Sequence, residues 1–553
     1  MQRVADIEFV NNNNANSTGI GVSMVSIDTL VFFNLHGLRD DELEEILKFR
    51  SFTHTSWKKG KVTEYFVFNC GIRKDSKVIW CYSGFSPILI RLLQNKYGYL
   101  INGKELYRAR EIEKLPDMKY KLWDFQRDAV EAWIKSGCYG ILQCPTSAGK
   151  SIIGCSIIKK MNTRTIILCH TSDLLINVWY NYLLEQFGDE IRNRIGIIGG
   201  GLSKKDRKLM RLEDDNFMAN LRKDIVICTS QSLLAKNKLV MVGEEKFGLM
   251  IVDEIHHYSS DQFKRVAGAI RAAYRCGLTA TLRRPDNLSP IFHALIGDVR
   301  YKIGIRDLIK KGLIVEPIFY SIIVDDDIAC NKIRTCKYKL LEYSRYVKKV
   351  SASSKLKFNY ILGLCESLKS KGRKFMLYTD FVNKSDTDEN GKLLEFNTSQ
   401  DNIYTRDDYV YELRRLGLRV IGISSEMSGV QRQTIFKKIG NGELDGIIFG
   451  ALGNEGISIP AIDAVITCNS TASPIKFPQR VGRGMRLFKG KKNCYIYEIL
   501  LNVPKELQWS NTNFIEYEEQ GFVKEQIFVN NDGYQIKNNN QLIKQSTNQT
   551  IKE

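Results

Sequence analysis

The sequence contains no continuous apolar run approaching the ~18 to 20 residues that a bilayer-spanning helix needs, and its first residues, MQRVADIEFVNNNNANS, lack a cleavable-signal pattern. These absences point to an intracellular, cytoplasmic protein with no membrane role; a phage or viral source is equally compatible. The 13 cysteines include no CxxC pair, and Cys144, Cys169, Cys228, Cys276 and Cys468 sit inside apolar runs. They are expected to be small buried hydrophobes in a reducing compartment. Cys330 and Cys336 have no histidine beside them, so a zinc site is not expected. A basic tail is missing as well: residues 511–553 carry Lys524, Lys537, Lys544 and Lys552 against six acidic residues. The excess of 81 Lys and Arg over 62 Asp and Glu, a formal charge of +19, therefore belongs to the folded body. Such a charge favours a polyanionic partner, because each neutralised phosphate releases condensed counterions.

What the chain does have is alternation. At 553 residues it is too long for one hydrophobic core. From about residue 139, short β-branched runs alternate with helix-like segments: YGILQC, KSIIGCSIIKKM, TRTIILCH, DLLINVWYNYLLEQF, DIVICTS and FGLMIVDE. The pattern resumes after residue 370 with KFMLYTD, LRVIGISS, DGIIFGA, DAVITCN and NCYIYEIL. Strands separated by helices imply parallel sheets covered on both faces, and two such blocks imply two α/β domains. The boundary is expected within KKGLIVEPIFY, near Gly312 to Tyr320, where a helix end gives way to an extended run.

The resulting division is a small α+β accessory domain at 1–110, a first α/β domain at 111–314, a second at 315–505 and a tail at 506–553. In the first, DELEEILKF reads as a helix, TEYFVFNCGIRKDSKVIWCY as a hairpin and FSPILIRLLQNKYGYLING as helix then strand. Residues 383–408 lack periodicity and read as an inserted polar loop. The tail is rich in Asn and Gln, with QIFVNNDGYQIK able to close a hairpin around Asn-Asp-Gly.

Chemistry concentrates at three places. The stretch CPTSAGKSIIG, Cys144 to Gly154, links a strand to a helix starting at Lys150, so backbone N–H groups at the helix N-terminus face the turn and favour anions. Gly149 permits close approach of backbone to phosphate, Lys150 reaches β- and γ-phosphates, and the Ser151 hydroxyl suits Mg²⁺. The general phosphate-loop pattern wants glycine where Cys144 stands. About a hundred residues on, FGLMIVDEIHH sets Asp253 and Glu254 at the C-terminal end of an apolar strand, where open α/β sheets bind ligands. Asp253 can hold Mg²⁺ through water, and Glu254 can deprotonate an attacking water. Third, QRVGRGMR carries Arg480, Arg483 and Arg486 in the second block, with Gly482 and Gly484 allowing tight backbone. Arginines delivered onto a γ-phosphate stabilise transition-state charge.

In order, LWDFQRDAV, CPTSAGKS, ICTSQS, VDEIHH, GLTATLRR, GALGNEGISIP and QRVGRGMR resemble the motif series of superfamily 2 helicases over roughly residues 120 to 500. DEIHH and GLTATLRR resemble the XPB branch, PTSAGKS the phage UvsW helicases, and the layout of the N-terminal unit is similar to that of UvsW. The resemblance implies an α/β fold of two RecA-like parallel-sheet domains in tandem with a small N-terminal α+β domain, and ATP with Mg²⁺ as cofactors. In that family the loop opens Pro-Thr, as Pro145 and Thr146 do here, and the preceding position is not held to glycine; Ser147 and Ala148 depart from the commoner Gly-x. The family pattern assigns adenine reading to Gln126 and coupling of hydrolysis to strand movement to Thr279 and Thr281. It assigns grip on the nucleic-acid backbone to Thr229, Gln231 and the loop containing Gly453, Gly456 and Ser458. Gln479, where RNA helicases of the DEAD-box type usually have His, leans toward DNA.

The expected activity is that of a monomeric, ATP-driven helicase or translocase acting on duplex, forked or single-stranded DNA. ATP would lie between the two domains, with Arg483 and Arg486 supplied by the second. TSWKKGK at Thr55 to Lys61 would engage a duplex or fork. Two related readings stay open: an RNA-directed or transcript-releasing helicase, and the motor subunit of a larger nuclease complex. A non-enzymatic binding module would lack Lys150, Asp253 or Glu254, and all three are present.

Overall fold

The computed structural model describes residues 111–172, 174–202, 207–208, 210–212, 216–234, 236–258, 260–282, 290–337, 340–379, 381, 403–424, 427, 429–450, 459–468, 476–530 and 533–537. Before residue 111 it describes the N-terminal strands and positions 41 and 93. The chain divides into two compact units, Met1–Ile303 and Gly304–Glu553.

The N-terminal part of the first unit holds β1 (Val4–Glu8), β2 (Leu30–Leu35), β3 (Ser51–Lys58), β4 (Lys61–Phe68), β5 (Cys70–Arg73), β6 (Val78–Tyr82) and β7 (Leu100–Gly103). Five of them form a sheet in the order β5-β6-β2-β1-β7, while β3 and β4 pair as a separate antiparallel ribbon. The single hairpin expected over Thr63 to Tyr82 is thus two. β4 turns back on the preceding strand, and only β5 and β6 pair with each other in that stretch. The expected DELEEILKF helix lies outside the described residues apart from Asp41, which is helical.

The rest of the first unit is built on β8 (Tyr139–Gln143), β9 (Thr165–Cys169), β10 (Ile195–Ile198), β11 (Ile225–Thr229), β12 (Lys246–Asp253), β13 (Arg271–Thr279) and β14 (Val299–Lys302). All seven run parallel in the order β10-β11-β9-β12-β13-β8-β14. A sheet buried on both faces needs apolar side chains at successive positions rather than alternate ones. TIILC, IGII and IVICT obey that rule: every residue of β9, β10 and β11 is buried. Ile166, Leu168, Val226, Cys228, Met250 and Val252 join one core with Phe263 and Phe292 from the crossover helices.

The second unit repeats the plan with β15 (Glu316–Val324), β16 (Phe375–Tyr378), β17 (Val420–Ile423), β18 (Gly446–Phe449), β19 (Ala464–Thr467), β20 (Asn493–Leu501), β21 (Lys524–Asn530) and β22 (Gly533–Lys537). The order is β17-β18-β16-β19-β20-β15-β21-β22, parallel except for the last strand. The α/β class with two RecA-like sheets in tandem is therefore what the chain forms. Residues beyond 505, read above as a tail, contribute the helix Pro504–Glu518 and two strands of this sheet. β21 and β22 close the hairpin around Asn-Asp-Gly, with Asn530 opposite Gly533. Of the segment 383–408, residues 383–402 lie outside the described residues, and Arg406 already begins a helix. Thr405 starts it: its hydroxyl accepts from the Asp408 N–H, and Asp408 Oδ2 accepts from the Thr405 N–H at 2.8 Å.

Candidate active site

The sheet order of the first unit gathers the phosphate loop and the acidic strand end on one edge. β12, β13 and β8 are neighbours, so Asp253 pairs with Leu278, Thr279 with Gln143, and the Cys144 N–H donates to the Thr279 carbonyl at 2.9 Å. After Cys144 the chain makes a tight turn, closed by the Ala148 N–H on the Pro145 carbonyl at 3.1 Å, with Ser147 (φ 82°) and Gly149 (φ 73°) in left-handed conformation. The helix Lys150–Met161 follows without a side-chain cap at its first turn, which leaves its backbone donors to the turn itself.

Gln126 braces this loop. Buried at the start of the helix Asp124–Lys135, it accepts from the Trp123 N–H at 3.0 Å and donates Nε2 to the Ala148 carbonyl at 3.0 Å. The contact explains Gly149 beyond its φ, since a Cβ there would stand 2.6 Å from Gln126 Nε2. Gly149→Ala should therefore lower stability by about 1–2 kcal/mol from the left-handed backbone alone, before any displacement of Gln126. Urea denaturation checks this, and an unchanged midpoint would contradict it.

Lys150 is 8% exposed. Its ammonium donates to the Cys144 carbonyl at 3.4 Å and forms an ion pair with Glu254 Oε1 at 3.1 Å. Glu254 has φ 45°, a conformation costly for a non-glycine residue and concentrated at functional sites. Burial alone would raise its pKa, yet Lys150 holds the carboxyl below its ordinary value. Its neighbour Asp253 is pushed up to about 7, first by burial and then by the Glu254 charge. Two adjacent carboxylates are thus driven apart in acidity, a pattern that separates roles in hydrolytic sites.

Asp253 is also held by groups that the sequence did not single out. Trp179, fully buried, donates its indole N–H to Asp253 Oδ2 at 2.8 Å. It comes from a wide π-helical turn, Leu174–Tyr180, inside the segment read as an ordinary helix. Gly154, the last residue of CPTSAGKSIIG, makes room for it: a Cβ there would meet Trp179 Cη2 at 2.4 Å. The only hint in the sequence is the tryptophan itself, because a buried indole N–H requires an acceptor.

On the far side, His256 Nδ1 lies 2.6 Å from Thr279 Oγ1 and 3.6 Å from Glu254 Oε2. Thr279 Oγ1 donates to the Thr281 carbonyl at 2.5 Å. That uses its one proton, so Nδ1 of His256 must carry the hydrogen of the shared contact. Burial pushes the His256 pKa down to about 3, so the ring is neutral at ordinary pH.

Thr229, at the end of β11, is buried with its hydroxyl 2.9 Å from Ser232 Oγ; Gln231 beside it is exposed. Gly453, Gly456 and Ser458 lie outside the described residues. In the second unit, the helix Lys476–Gly484 carries Gln479, Arg480 and Arg483, all buried. The Arg480 guanidinium lies 4.8 Å from the centroid of the Tyr378 ring, which stacks on Phe449 at 5.0 Å. Arg486 is half-buried in a β-bridge with Ile314. Gly484 is required by packing, since a Cβ would fall 2.3 Å from Cys494 Sγ.

Two family descriptions match the chain in series: Type III restriction enzyme, res subunit, over residues 119–284, and Helicase conserved C-terminal domain, over residues 357–488. The first spans the phosphate loop, Asp253, Glu254 and Thr281; the second ends just past Arg486. The chain belongs to the superfamily 2 helicases. It is a nucleic-acid-dependent ATPase of that superfamily and resembles the XPB proteins. The DNA 3'-5' translocase XPB2 of Sulfurisphaera tokodaii is 26% identical over 392 residues, covering 69% of this chain and 82% of that one. Of the XPB subunits of Drosophila melanogaster and Arabidopsis thaliana the chain spans less than half the length. Among solved structures, the ATP-dependent Type ISP restriction-modification enzyme LlaBIII bound to DNA is similar in fold at a TM-score of 0.50 and 16% identity, over 79% of this helicase and 33% of that chain. The crystal structure of T4 UvsW aligns with 95% of this helicase and 99% of that chain at 15% identity and a TM-score of 0.37. Among the described residues no helix is long and apolar enough to cross a membrane.

Proposed function

We propose that this helicase is an ATP-driven motor that moves along or remodels DNA, including branched or forked forms, as a monomer. The observation that carries the reading is the Lys150–Glu254 ion pair at 3.1 Å, which joins the loop after β8 to the end of β12 across the intervening β13, with Asp253 beside it. That is a phosphate-binding cation and a general base held in one place. DNA as the track is supported by the names of the relatives, a DNA translocase and a DNA-bound restriction enzyme, and by the +19 charge of the chain. The RNA-directed reading has no such support here, and the nuclease-complex reading has the res-subunit description over residues 119–284 and a relative of which this chain spans a third.

The residues fit ATP with Mg²⁺. The Thr146 hydroxyl, buried in the loop, has no hydrogen-bond partner among the described residues, as a group awaiting a ligand would. Ser151 and Asp253 offer only oxygen, the donor type a hard dication takes. Ser151, and Asp253 through water, would hold Mg²⁺, which would supply neutralisation of charge on the β- and γ-phosphates. Lys150 and the loop N–H groups hold those phosphates, Gln126 reads adenine and Glu254 takes the proton of the attacking water. Thr279 and Thr281 couple hydrolysis to strand movement. Thr229, Gln231 and the loop with Gly453, Gly456 and Ser458 grip the strand backbone, and Gln479 favours DNA. The accessory domain at 1–110 engages duplex or fork.

Arg483 and Arg486 act as fingers on the developing phosphate charge. Alanine at either should leave ATP affinity nearly unchanged and lower kcat by ~10² or more, because a finger acts in the transition state. Arg480→Ala should show up as lost stability instead, since its guanidinium is committed to Tyr378. Wild-type kcat in both Arg483→Ala and Arg486→Ala under saturating DNA would remove the fingers from the mechanism.

The reading is tested by ATP hydrolysis with single-stranded, duplex and forked DNA and with RNA. Stimulation should be given by DNA, vary little with base sequence and fall steeply with salt, the slope being about −0.9 per phosphate contacted in duplex. Stimulation by RNA alone would replace the substrate.

A further inference from the structure

Half of the six histidines in the chain meet at one place. His170, the residue after β9, stacks flat on His257, with ring centroids 4.1 Å apart and planes 9° from parallel. His257 in turn lies against His256, centroids 4.3 Å apart at 42°. His256 reaches Thr279 at 2.6 Å and stands 3.6 Å from Glu254 Oε2. The row runs from the buried His256 to the half-buried His257 and His170, outward along the C-terminal edge of the sheet. Tyr258, buried, meets His170 edge-on at 6.3 Å and fixes its tilt.

The sheet order gives this row a direction. β9 lies between β11 and β12, so the end of β9 separates Thr229 from Asp253 and Glu254. A change at the Thr229 side reaches Glu254 along that edge only across the end of β9. The residue standing there is His170, and its flat partner belongs to the turn that carries Glu254.

We infer that His170 and His257 are positioning residues, which transmit occupancy of the nucleic-acid track to Glu254 through His256. The inference rests on the function proposed above. Neither residue touches phosphate or the attacking water; what they set is the place of the Glu254–Ile255–His256 turn when a strand is bound. Two aromatic rings in flat contact move together, whereas an alanine in either place leaves the turn free of the strand end.

The test measures ATP hydrolysis without nucleic acid and with saturating forked DNA for the wild type, His170→Ala, His257→Ala, the double variant and His170→Phe. Basal hydrolysis should stay within about twofold in all of them. DNA stimulation should fall ~10-fold in each alanine variant, a coupling of ordinary size between sites. The double variant should be no worse than either single one, because both break the same contact, and His170→Phe should keep most of the stimulation because a flat ring remains. Stimulation at the wild-type level in both alanine variants overturns the inference. So does an equal loss of basal and stimulated hydrolysis, which would mark the stack as packing alone. A wild type that neither DNA nor RNA stimulates would instead bring down the proposed function, and this coupling with it.

Discussion

Lys150→Ala is expected to lower ATP hydrolysis by ~10³ or more, through the loss of the cation that the phosphate loop itself supplies. The geometry adds a second consequence. Glu254 is 8% exposed and keeps its low pKa through Lys150, 3.1 Å away. Without that partner a buried carboxylate raises its pKa and takes up a proton, and a protonated Glu254 is no base. The variant is therefore doubly impaired: phosphate is held less well, and the pKa of the base is raised by the loss of the charge that most lowers it. Raising the pH should recover a small part of the rate in Lys150→Ala by ionising Glu254 again, whereas the wild type should gain only as Asp253, with a pKa of about 7, ionises. Steady-state hydrolysis from pH 6 to 9 checks both statements; wild-type turnover in Lys150→Ala would contradict the site.

Glu254→Gln separates binding from chemistry. The amide keeps the size and one acceptor of the carboxylate, so Lys150 retains a partner, but it cannot accept a proton from water. Hydrolysis should fall by ~10² to 10⁴, the usual span for a general base, while ATP affinity is kept or improved. Improvement is expected because the Lys150 ammonium, no longer tied to a full negative charge, is freer to meet phosphate. Equilibrium binding of a fluorescent ATP analogue alongside kcat decides the point. Normal turnover would mean that another group is the base, and Asp253, with its pKa near 7, would be the first to examine.

Much of this was readable before any coordinates. Runs such as TIILC and IVICT are apolar at all but one position because both faces of their strands are buried, and that requirement predicts parallel sheets. The turn from Cys144 to Lys150 and DEIHH stand out in the sequence because residue type and position at strand ends constrain them together. Sheet order was not readable: β9 connects from β8 yet lies three strands away, and no local preference encodes which strand a crossover joins. The roles of Trp179 and Gly154 depend on that order and were missed with it. The last strands were readable as a hairpin around Asn-Asp-Gly, but their place in the second sheet was not. KEQIFVN and GYQIK are polar enough to resemble a tail, and they gain their place from pairing at the edge of the second sheet. The helix Arg406–Arg415 was assigned in part to a loop because its first turn, RDDY, is acidic and capped by Thr405, features that look like loop composition unless the cap is recognised.

The most direct measurement is the rate of ATP hydrolysis by the purified wild-type protein as forked DNA is titrated in, at low and at moderate salt. The account predicts a low basal rate that rises at least tenfold and saturates with DNA, with the half-saturating concentration increasing steeply at the higher salt. A rate independent of DNA at both salt concentrations, with ATP still hydrolysed, would contradict the claim that this helicase uses ATP to act on DNA.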